Sequence, residues 1–226
     1  MIARDATADG SNSYQASDLQ WSHTISGTDT GLLVGVVVSW DGGNASDWND
    51  SVTFNGVPLT LWKKQQSTTN GEWLYIWQLA GPAVGTHTVD VHITHTSQTR
   101  IFASSASYLS SYQASPDSSN GVDGGGGGGE LSLATTVVAP NCWLFMVSAV
   151  RSGGGTVSAG SGTTKLQPSS ANYYAIFDSN GTVGTGSHSL IMDYTSDQPF
   201  DGAIVSFKPG TAPPSSLPAS VLLDLI

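Results

Sequence analysis

The fold of this chain is decided by residues 73–93, which read WLYIWQLAGPAVGTHTVDVHI. In the first part of the stretch, aromatic residues at 73, 75 and 77 alternate with Leu74 and Ile76, so an extended chain carries apolar side chains on both faces. After a turn at Gly81 and Pro82, only every second residue is apolar, at 89, 91 and 93. The pattern predicts two antiparallel strands, the first buried on both faces and the second on one.

A second stretch, residues 173–194 (YYAIFDSNGTVGTGSHSLIMDY), repeats this pattern. His188 follows His87 by 101 residues, and the same offset matches the glycine that begins each alternating run. We therefore predict an internal duplication of a unit of about 100 residues, a usual size for one β-sandwich. Superposition of the two units is expected to pair His87 with His188 and to bring Val34 near Phe145.

The remaining chain consists of apolar or alternating runs of five to ten residues, bounded by Gly, Asn, Asp, Ser or Pro. Asn55-Gly56 between two such runs is the strongest hairpin signal of the chain. No run has the 3.6-residue period of an amphipathic helix, so we expect no helix longer than two turns. The predicted fold class is all-β, an antiparallel β-sandwich or jelly-roll-like fold built from two duplicated units.

Composition shifts divide the chain into five segments. We expect an N-terminal segment (1–14) and a first β-sandwich unit (15–115), followed by the segments 116–129, 130–210 and 211–226. Segment 116–129 contains six consecutive glycines and is expected to be a Gly-rich linker or loop. Segment 130–210 is the second unit, and 211–226 is a Pro-rich C-terminal arm. The pattern leaves open whether the units are separate domains or halves of one sandwich.

Charge and composition disfavour several classes of partner. The chain has 17 acidic and only seven basic residues, a net charge of −10, which argues against nucleic acid and against an anionic membrane surface. No apolar run approaches the length of a membrane span, and no signal peptide is visible at the N-terminus. We therefore expect a protein made in the cytoplasm of its host. A single cysteine, Cys142, excludes an intrachain disulfide and reads as a buried small residue.

No pattern in the chain assigns catalytic residues. A G-x-S-x-G nucleophile elbow is absent from the sequence. His87 and His188 recur at matching positions just after a turn, which favours a turn or packing role over catalysis. We expect no enzyme activity and no cofactor.

One polar loop could carry a ligand. Carboxylate and amide side chains crowd it beside two glycines, the Ca²⁺ candidates being Asp41, Asn44, Asp47 and Asp50. Their spacing does not match an EF-hand, and an ordinary loop with Asx-turns is the expectation, so no metal site is predicted. Trp40 and Trp48 bracket the loop and would form a stacking platform for glycans if both are exposed.

The arm ends in an apolar tip after three prolines. Leaving several large apolar side chains in water favours association, because burial of each contributes roughly 1.5–3 kcal/mol. We expect the tip to dock into a groove or to add a strand to a sheet edge, most simply on a neighbouring copy. The predicted docking residues are Leu217, Val221, Leu222, Leu223, Leu225 and Ile226.

Four stretches carry a resemblance to a known family: residues 19–27 (LQWSHTISG), 32–36 (LLVGV), 51–60 (SVTFNGVPLT) and 79–88 (LAGPAVGTHT). Together they resemble a β-sandwich family found among virion proteins of tailed bacteriophages and related bacterial proteins. The resemblance covers residues 1–115 best and reaches 130–208 through the duplication. Its motifs are strands and turns, so it transfers no catalytic residue.

The resemblance implies a non-enzymatic structural protein of the virion surface, as a capsid decoration, head fibre or tail appendage. The expected partners are capsid or tail proteins of the same virion and further copies of the chain. A carbohydrate-binding adhesin that recognises a host glycan is the first alternative. A hydrolase on a jelly-roll scaffold is the second.

Overall fold

The computed structural model describes residues 1–14, 17–40, 49–67, 71–94, 99–111, 113–125, 129–150, 155–167, 173–195 and 198–210. These ranges contain seventeen β-strands and no helix, which confirms the predicted all-β class. In chain order the strands are β1 (Ala3–Tyr14), β2 (Asp18–Ile25), β3 (Gly31–Trp40), β4 (Asn49–Phe54), β5 (Val57–Pro58), β6 (Thr60–Ser67), β7 (Glu72–Ala80), β8 (Gly85–Ile93), β9 (Thr99–Leu109), β10 (Ser118–Gly125), β11 (Glu130–Val137), β12 (Trp143–Val150), β13 (Val157–Ala159), β14 (Thr164–Gln167), β15 (Tyr174–Asp178), β16 (Gly186–Tyr194) and β17 (Phe200–Phe207).

The strands form two units, each a sandwich of a central and an outer antiparallel sheet. Unit 1 has the central sheet β1-β9-β3-β7-β6 and the outer sheet β2-β8-β4-β5. Unit 2 has the central sheet β10-β17-β12-β15-β14 and the outer sheet β11-β16-β13. The strand orders correspond one to one, except that β4 and β5 of unit 1 correspond to β13 alone.

Side-chain alternation explains which strands are central. In β7, Leu74 and Ile76 face one apolar core while Tyr75 and Trp77 face another. In β8, only one face is apolar and the other is polar and partly exposed. A strand buried on both faces must lie between two layers, whereas a half-buried strand can cover one layer from outside.

The strands β7 and β8 do not pair with each other. They follow one another across the turn at 81–84, yet β7 pairs with β3 and β6, and β8 pairs with β2 and β4. The turn therefore carries the chain from the central to the outer sheet. The connection from β15 to β16 does the same in unit 2.

The predicted Asn55-Gly56 hairpin is present between β4 and β5. Phe54 pairs with Val57, and both turn residues have positive φ, 52° at Asn55 and 75° at Gly56. A two-residue turn of this kind needs positive φ at both positions, which Asn and Gly tolerate best. Local sequence alone therefore predicted this element.

The segment boundaries differ from the expectation. Residues 1–14 contain β1, which pairs with β9, and residues 116–129 contain β10, which pairs with β17. Each segment thus supplies the first edge strand of a central sheet, where an N-terminal segment and a Gly-rich linker or loop were expected. Backbone pairing at a sheet edge needs no apolar run, so the polar and glycine-rich composition of these strands concealed them.

The two units share one core through their central sheets. Leu33, Val37, Leu74 and Ile76 of unit 1 pack in a single apolar cluster with Phe145 and other side chains of unit 2. Separate clusters fill the space between the central and outer sheets of each unit. The molecule is therefore four β-layers deep, and the units are two sandwiches fused face to face.

The contact between the central sheets has approximate twofold character. Strand β6 lies against β10, and β1 lies against β14. Because β1 corresponds to β10 and β6 to β14, a twofold rotation that exchanges the units converts one contact into the other. Tyr108 in β9 and Phe207 in β17, each the last core residue of its strand, contact each other with ring centroids 4.9 Å apart. At Gly35 the approach is so close that a Cβ would lie 2.6 Å from Ile176 Cγ2. Glycine at this position permits the packing.

The core that each side chain faces refines the residue offset between corresponding strands of the predicted duplication. The 101-residue offset holds for β8 and β16, which both begin with a glycine at φ 114° and bury the same alternate positions. In β7 and β15 the offset is 100, because Leu74 and Tyr174 face the central core while Trp73 faces the outer one. The expected match of Val34 with Phe145 also moves by one residue. Leu33 and Phe145 both face the core between the central sheets, whereas Val34 faces the outer sheet of unit 1. The duplication itself remains a prediction, which superposition of the units tests.

Both described chain ends lie at one end of the molecule, the proximal end. Ala3 pairs with Leu109 there, and Gly210 donates its N–H to the carbonyl of Ser110 (2.9 Å) beside a bridge to Ser111. Strands β1, β3, β6 and β8 of unit 1 run away from this end to the distal end, and β10, β12, β14 and β16 run likewise in unit 2. The contact between Tyr108 and Phe207 places the proximal ends of the two units side by side.

Candidate functional site

The predicted binding residues fall largely outside the described part of the chain. Trp40 ends β3 and Asp50 lies in β4, but their side chains and residues 41–48 are not among those described. The docking residues of the arm, in 211–226, are also outside it. The expectations of no metal site in the polar loop, of a glycan platform and of a docking tip therefore stay predictions.

Within the described ranges, no group of three or more His, Cys, Asp or Glu side chains is placed to hold a metal ion. The same ranges contain no helix that is long and apolar enough to cross a membrane. Among the described residues, buried polar groups meet at the boundaries between β-layers, first within each unit and then at two sites between the units.

The first site is the His23 chain, a row of hydrogen bonds through Trp21, Ser105, His23, Ser107 and Asp5. The indole N–H of Trp21 donates to Ser105 Oγ at 3.0 Å, and Ser105 Oγ lies 2.8 Å from His23 Nδ1. His23 Nε2 lies 3.0 Å from Ser107 Oγ, which donates to the Asp5 carboxylate at 3.0 Å. This row of hydrogen bonds connects β2 of the outer sheet with β9 and β1 of the central sheet.

These bonds select one form of the His23 ring. Because Ser107 donates its hydroxyl proton to Asp5, its oxygen accepts, and His23 Nε2 must carry a proton. Nδ1 then accepts the hydroxyl proton of Ser105, whose oxygen accepts the indole proton of Trp21. The neutral Nε2–H imidazole satisfies every member of the chain.

Burial keeps His23 neutral and away from solvent. The ring is 1% exposed, and Ser105 and Ser107 are fully buried. Burial lowers the pKa of His23 from 6.5 to about 4, although the nearby Asp5 carboxylate acts in the opposite direction. Serine, histidine and aspartate meet here, with the His23, Ser105 and Ser107 side chains buried and the Asp5 side chain partly exposed. Their hydrogen bonds tie the outer sheet to the central one.

The second unit has a related row at the corresponding place. Asp117 accepts the hydroxyl of Ser206 (3.1 Å), Ser206 lies 2.7 Å from Ser118 Oγ, and Ser118 Oγ lies 2.9 Å from the hydroxyl of buried Thr135. Asp117 also accepts the backbone N–H of Val138 (2.8 Å), as Asp5 accepts that of Ser26.

These rows occupy equivalent positions in the two units. Asp5 and Asp117 are 112 residues apart, as are His23 and Thr135, and each carboxylate caps the turn that follows β2 or β11. The two units therefore hold the same kind of polar row between their layers, but only unit 1 places a titratable ring in it.

The second interior site joins the two units. Arg4 of β1 makes a two-pronged ion pair with Asp178 of β15, at 2.9 and 2.8 Å, and also donates to Asn180 (2.8 Å). The Tyr108 hydroxyl donates to the same carboxylate at 3.1 Å, and Asp178 is fully buried. Burial and the Asp178 charge raise the pKa of Tyr108, so the phenol stays a donor. Charge-assisted bonds of this geometry fix the register of the central sheets.

The third interior site also spans the units. The Tyr174 hydroxyl of β15 lies 3.0 Å from Ser104 Oγ and donates to the carbonyl of Ala103 at 3.0 Å, both in β9. Its ring packs on Phe102, with centroids 5.0 Å apart. Burial raises the pKa of Tyr174 far above its ordinary value of 10.0.

His87 and Cys142 pack against neighbouring groups, and His188 lies at a regular position of the β11–β16 strand pair. His87 Nε2 lies 3.2 Å from the carbonyl of Val84 in the turn, and its ring meets Phe54 edge to face. His188 pairs across the sheet with Thr135. Burial raises the pKa of the Cys142 thiol to about 11, and its Sγ donates to the Ala139 carbonyl.

Sequence patterns indicated some of these residues and missed others. In residues 19–25, Leu19, Trp21, His23 and Ile25 alternate with polar residues, and the burial of β2 alternates in the same order, so local alternation indicates the buried position of His23. The buried serines of β9 were missed, because serine is common in loops and on exposed faces. The serines at 104, 105 and 107 lie in one strand, and that density next to an inward histidine was the available signal.

Comparison with protein-family models and with curated proteins finds no match to this chain.

Proposed function

We propose that the protein is a non-enzymatic structural component of a bacteriophage virion surface, as a capsid decoration protein, head fibre or tail appendage. The resemblance of residues 19–27, 32–36, 51–60 and 79–88 to virion β-sandwich proteins is its starting point. These stretches lie in or beside β2, β3, β4, β5, β7 and β8, and so belong to the framework of unit 1.

One structural observation carries the proposal further. The start of β1 and Gly210, which precedes the arm, lie together at the proximal end. Attachment through the arm would hold the molecule by this end and would turn the distal strand ends outward. A surface component of a particle needs this division between an attached and a presented end.

The interior supports a rigid body more than a reactive one. The central sheets share a single core, and Arg4, Tyr108 and Asp178 tie the units to each other. The buried polar rows described above consume their own donors and acceptors. A shared core and direct polar ties between the units favour a single rigid body at neutral pH, which suits a structural role.

Labelling of particles tests the proposal. Virions of the encoding phage are purified on a density gradient, and the protein is detected by immunoblot and by immunogold electron microscopy. We expect it to band with the particles and to label one location on the head or tail. Presence of the protein in the lysate but its absence from infectious particles would refute the proposal. Binding to a glycan array by a protein absent from particles would favour the adhesin alternative.

A further inference from the structure

The His23 chain is a row of hydrogen bonds that crosses from the outer to the central sheet of unit 1. Trp21 and His23 belong to β2, and Ser105 and Ser107 belong to β9. The apolar cluster of unit 1 fills the rest of this space, with Ile25 and Val89 among its members. Strand β2 is thus attached to the central sheet by apolar packing and by a row of hydrogen bonds. The donor and acceptor pattern of that row requires a neutral His23 ring.

Few charged or titratable groups face His23. From β1, the Asp5 carboxylate reaches it through Ser107. From β8, His87 is its cross-strand partner. From β4, Phe54 presents its ring at 6.5 Å, and from β9 the two serines face it. Among the described residues of these strands, no carboxylate touches the ring directly.

Protonation of His23 breaks this pattern. A cationic ring donates from both nitrogens, so Ser105 can no longer donate to Nδ1 and must turn its own proton elsewhere. Its oxygen already accepts the Trp21 indole proton, and the proton of Ser105 loses its acceptor. The new charge is buried with Asp5 as its nearest carboxylate, one hydroxyl away. A buried charge without a direct partner is costly, so the protonated ring favours separation of the layers.

We propose that the His23 chain is an acid-sensitive latch, which holds the outer sheet of unit 1 on its central sheet at neutral pH and loosens it in mildly acidic solution while unit 2 stays closed. Unit 2 has Thr135 at the equivalent position, and a threonine does not titrate. The latch is a property of unit 1, whatever the protein attaches to.

The direction and size of the pH effect on opening follow from the different proton affinities of the closed and open states. The closed state holds the pKa of His23 at about 4, and a solvated imidazole has 6.5, so the open state binds more protons between these values. Opening therefore becomes easier as the pH falls below 6.5. Between pH 7 and pH 5 these two pKa values raise the equilibrium constant for opening about twentyfold.

Hydrogen–deuterium exchange of the full chain tests the latch. Exchange is measured at pH 7 and pH 5, corrected for the intrinsic pH dependence, and compared between peptides covering β2 and β11. We expect protection of β2 to fall about twentyfold more than protection of β11. Equal changes in the two strands would overturn the proposal.

Two variants identify the titrating group. His23→Gln keeps one donor and one acceptor but does not titrate, so the extra pH dependence of β2 should disappear. His87→Gln removes the neighbouring histidine and should leave it in place. Persistence of the effect in H23Q, or its loss in H87Q, contradicts the assignment.

A direct titration keeps the test decisive if H23Q does not fold. The His23 imidazole of the wild-type protein is followed by NMR, with assignment by comparison with H87Q. A pKa well below 6.5 for His23 supports the latch. A pKa at or above 6.5 overturns it.

Discussion

Units 1 and 2 have the same strand order but fill it with different polar chemistry. Each caps the turn after its first outer strand with an aspartate, Asp5 or Asp117. At the contact between the units the symmetry fails. Asp178 of unit 2 meets Arg4 and Tyr108 of unit 1, whereas Gln78, its equivalent in β7, has no partner for its Nε2 among the described residues. The architecture thus tolerates changes in its buried polar groups as long as the facing of each strand is kept.

The cause of this asymmetry can be read from the twofold relation. Tyr108 supplies a hydroxyl to Asp178, while its equivalent Phe207 has none to offer Gln78. The arginine at position 4 is likewise replaced by Pro116, 112 residues later. The contact between the units therefore carries the hydrogen bonds of Asp178 with Arg4 and Tyr108 on one side of the axis, whereas Gln78 Nε2 on the other side has no partner among the described residues.

The largest loss of stability is expected on the side of the axis where Asp178 pairs with Arg4. Asp178→Leu removes the buried carboxylate that pairs with Arg4 and accepts from Tyr108, which should lower the free energy of unfolding by about 3 kcal/mol. The matched variant Gln78→Leu removes a group whose donor is unsatisfied and should be neutral or slightly stabilising. Urea denaturation measures both. Equal losses in the two variants would show that the two sides do not differ.

The next largest loss of stability is expected where the two central sheets pack most closely, near the approximate twofold axis. Gly35→Val would place methyl groups against Ile176 and Val147, where even a Cβ comes within 2.6 and 3.2 Å. We expect a loss of about 2 kcal/mol from overpacking between the units. Gly184→Val is the control, because a Cβ there meets nothing within 4 Å. A midpoint for G35V that equals that of G184V would mean the central sheets can separate without cost.

A smaller gain should follow from restoring the symmetry. Phe207→Tyr adds a hydroxyl at the position equivalent to Tyr108. By the twofold relation we expect it to point toward Gln78, whose Nε2 has no partner among the described residues. A new buried hydrogen bond should raise the free energy of unfolding by about 1 kcal/mol. In the background Gln78→Leu the gain should vanish, because the Nε2–H donor that the new hydroxyl oxygen would accept from is gone. Thermal or urea unfolding of the four proteins forms the cycle, and a gain that survives in Q78L would contradict the pairing.

The smallest effect on stability is expected from the arm. The chain that leaves unit 1 continues into β10, whereas the chain that leaves unit 2 continues into residues 211–226. Deletion of 217–226 should leave circular dichroism and the unfolding midpoint unchanged, because the tip is expected to dock on a neighbouring copy and is too short to form a core of its own. Incorporation into particles should fall. Full incorporation of the truncated protein would mean that the tip is not the anchor.

Sequence patterns predicted more of the fold than of its polar interior. Alternation identified β7 and β8 and the facing of their side chains, and Asn55-Gly56 identified the β4–β5 turn. Strands β1 and β10 were not predicted, because an edge strand is held by backbone bonds that leave no apolar pattern. The candidate site residues at 41–50 and in the arm remain predictions, since they lie in parts of the chain whose side chains are not described.

By itself, the amino-acid sequence determined that the chain is all-β, that residues 73–79 form a strand buried on both faces, and that Val89, Val91 and Ile93 of the next strand turn inward. These properties follow from local period-2 alternation and from turn residues, which act over a few positions. Only the tertiary structure decided which sheet each strand joins and which polar groups meet. Arg4 and Asp178 are 174 positions apart, and Trp21 and Ser105 are 84. Backbone hydrogen bonds do not distinguish one strand from another, so such pairings depend on the packing of all four layers together.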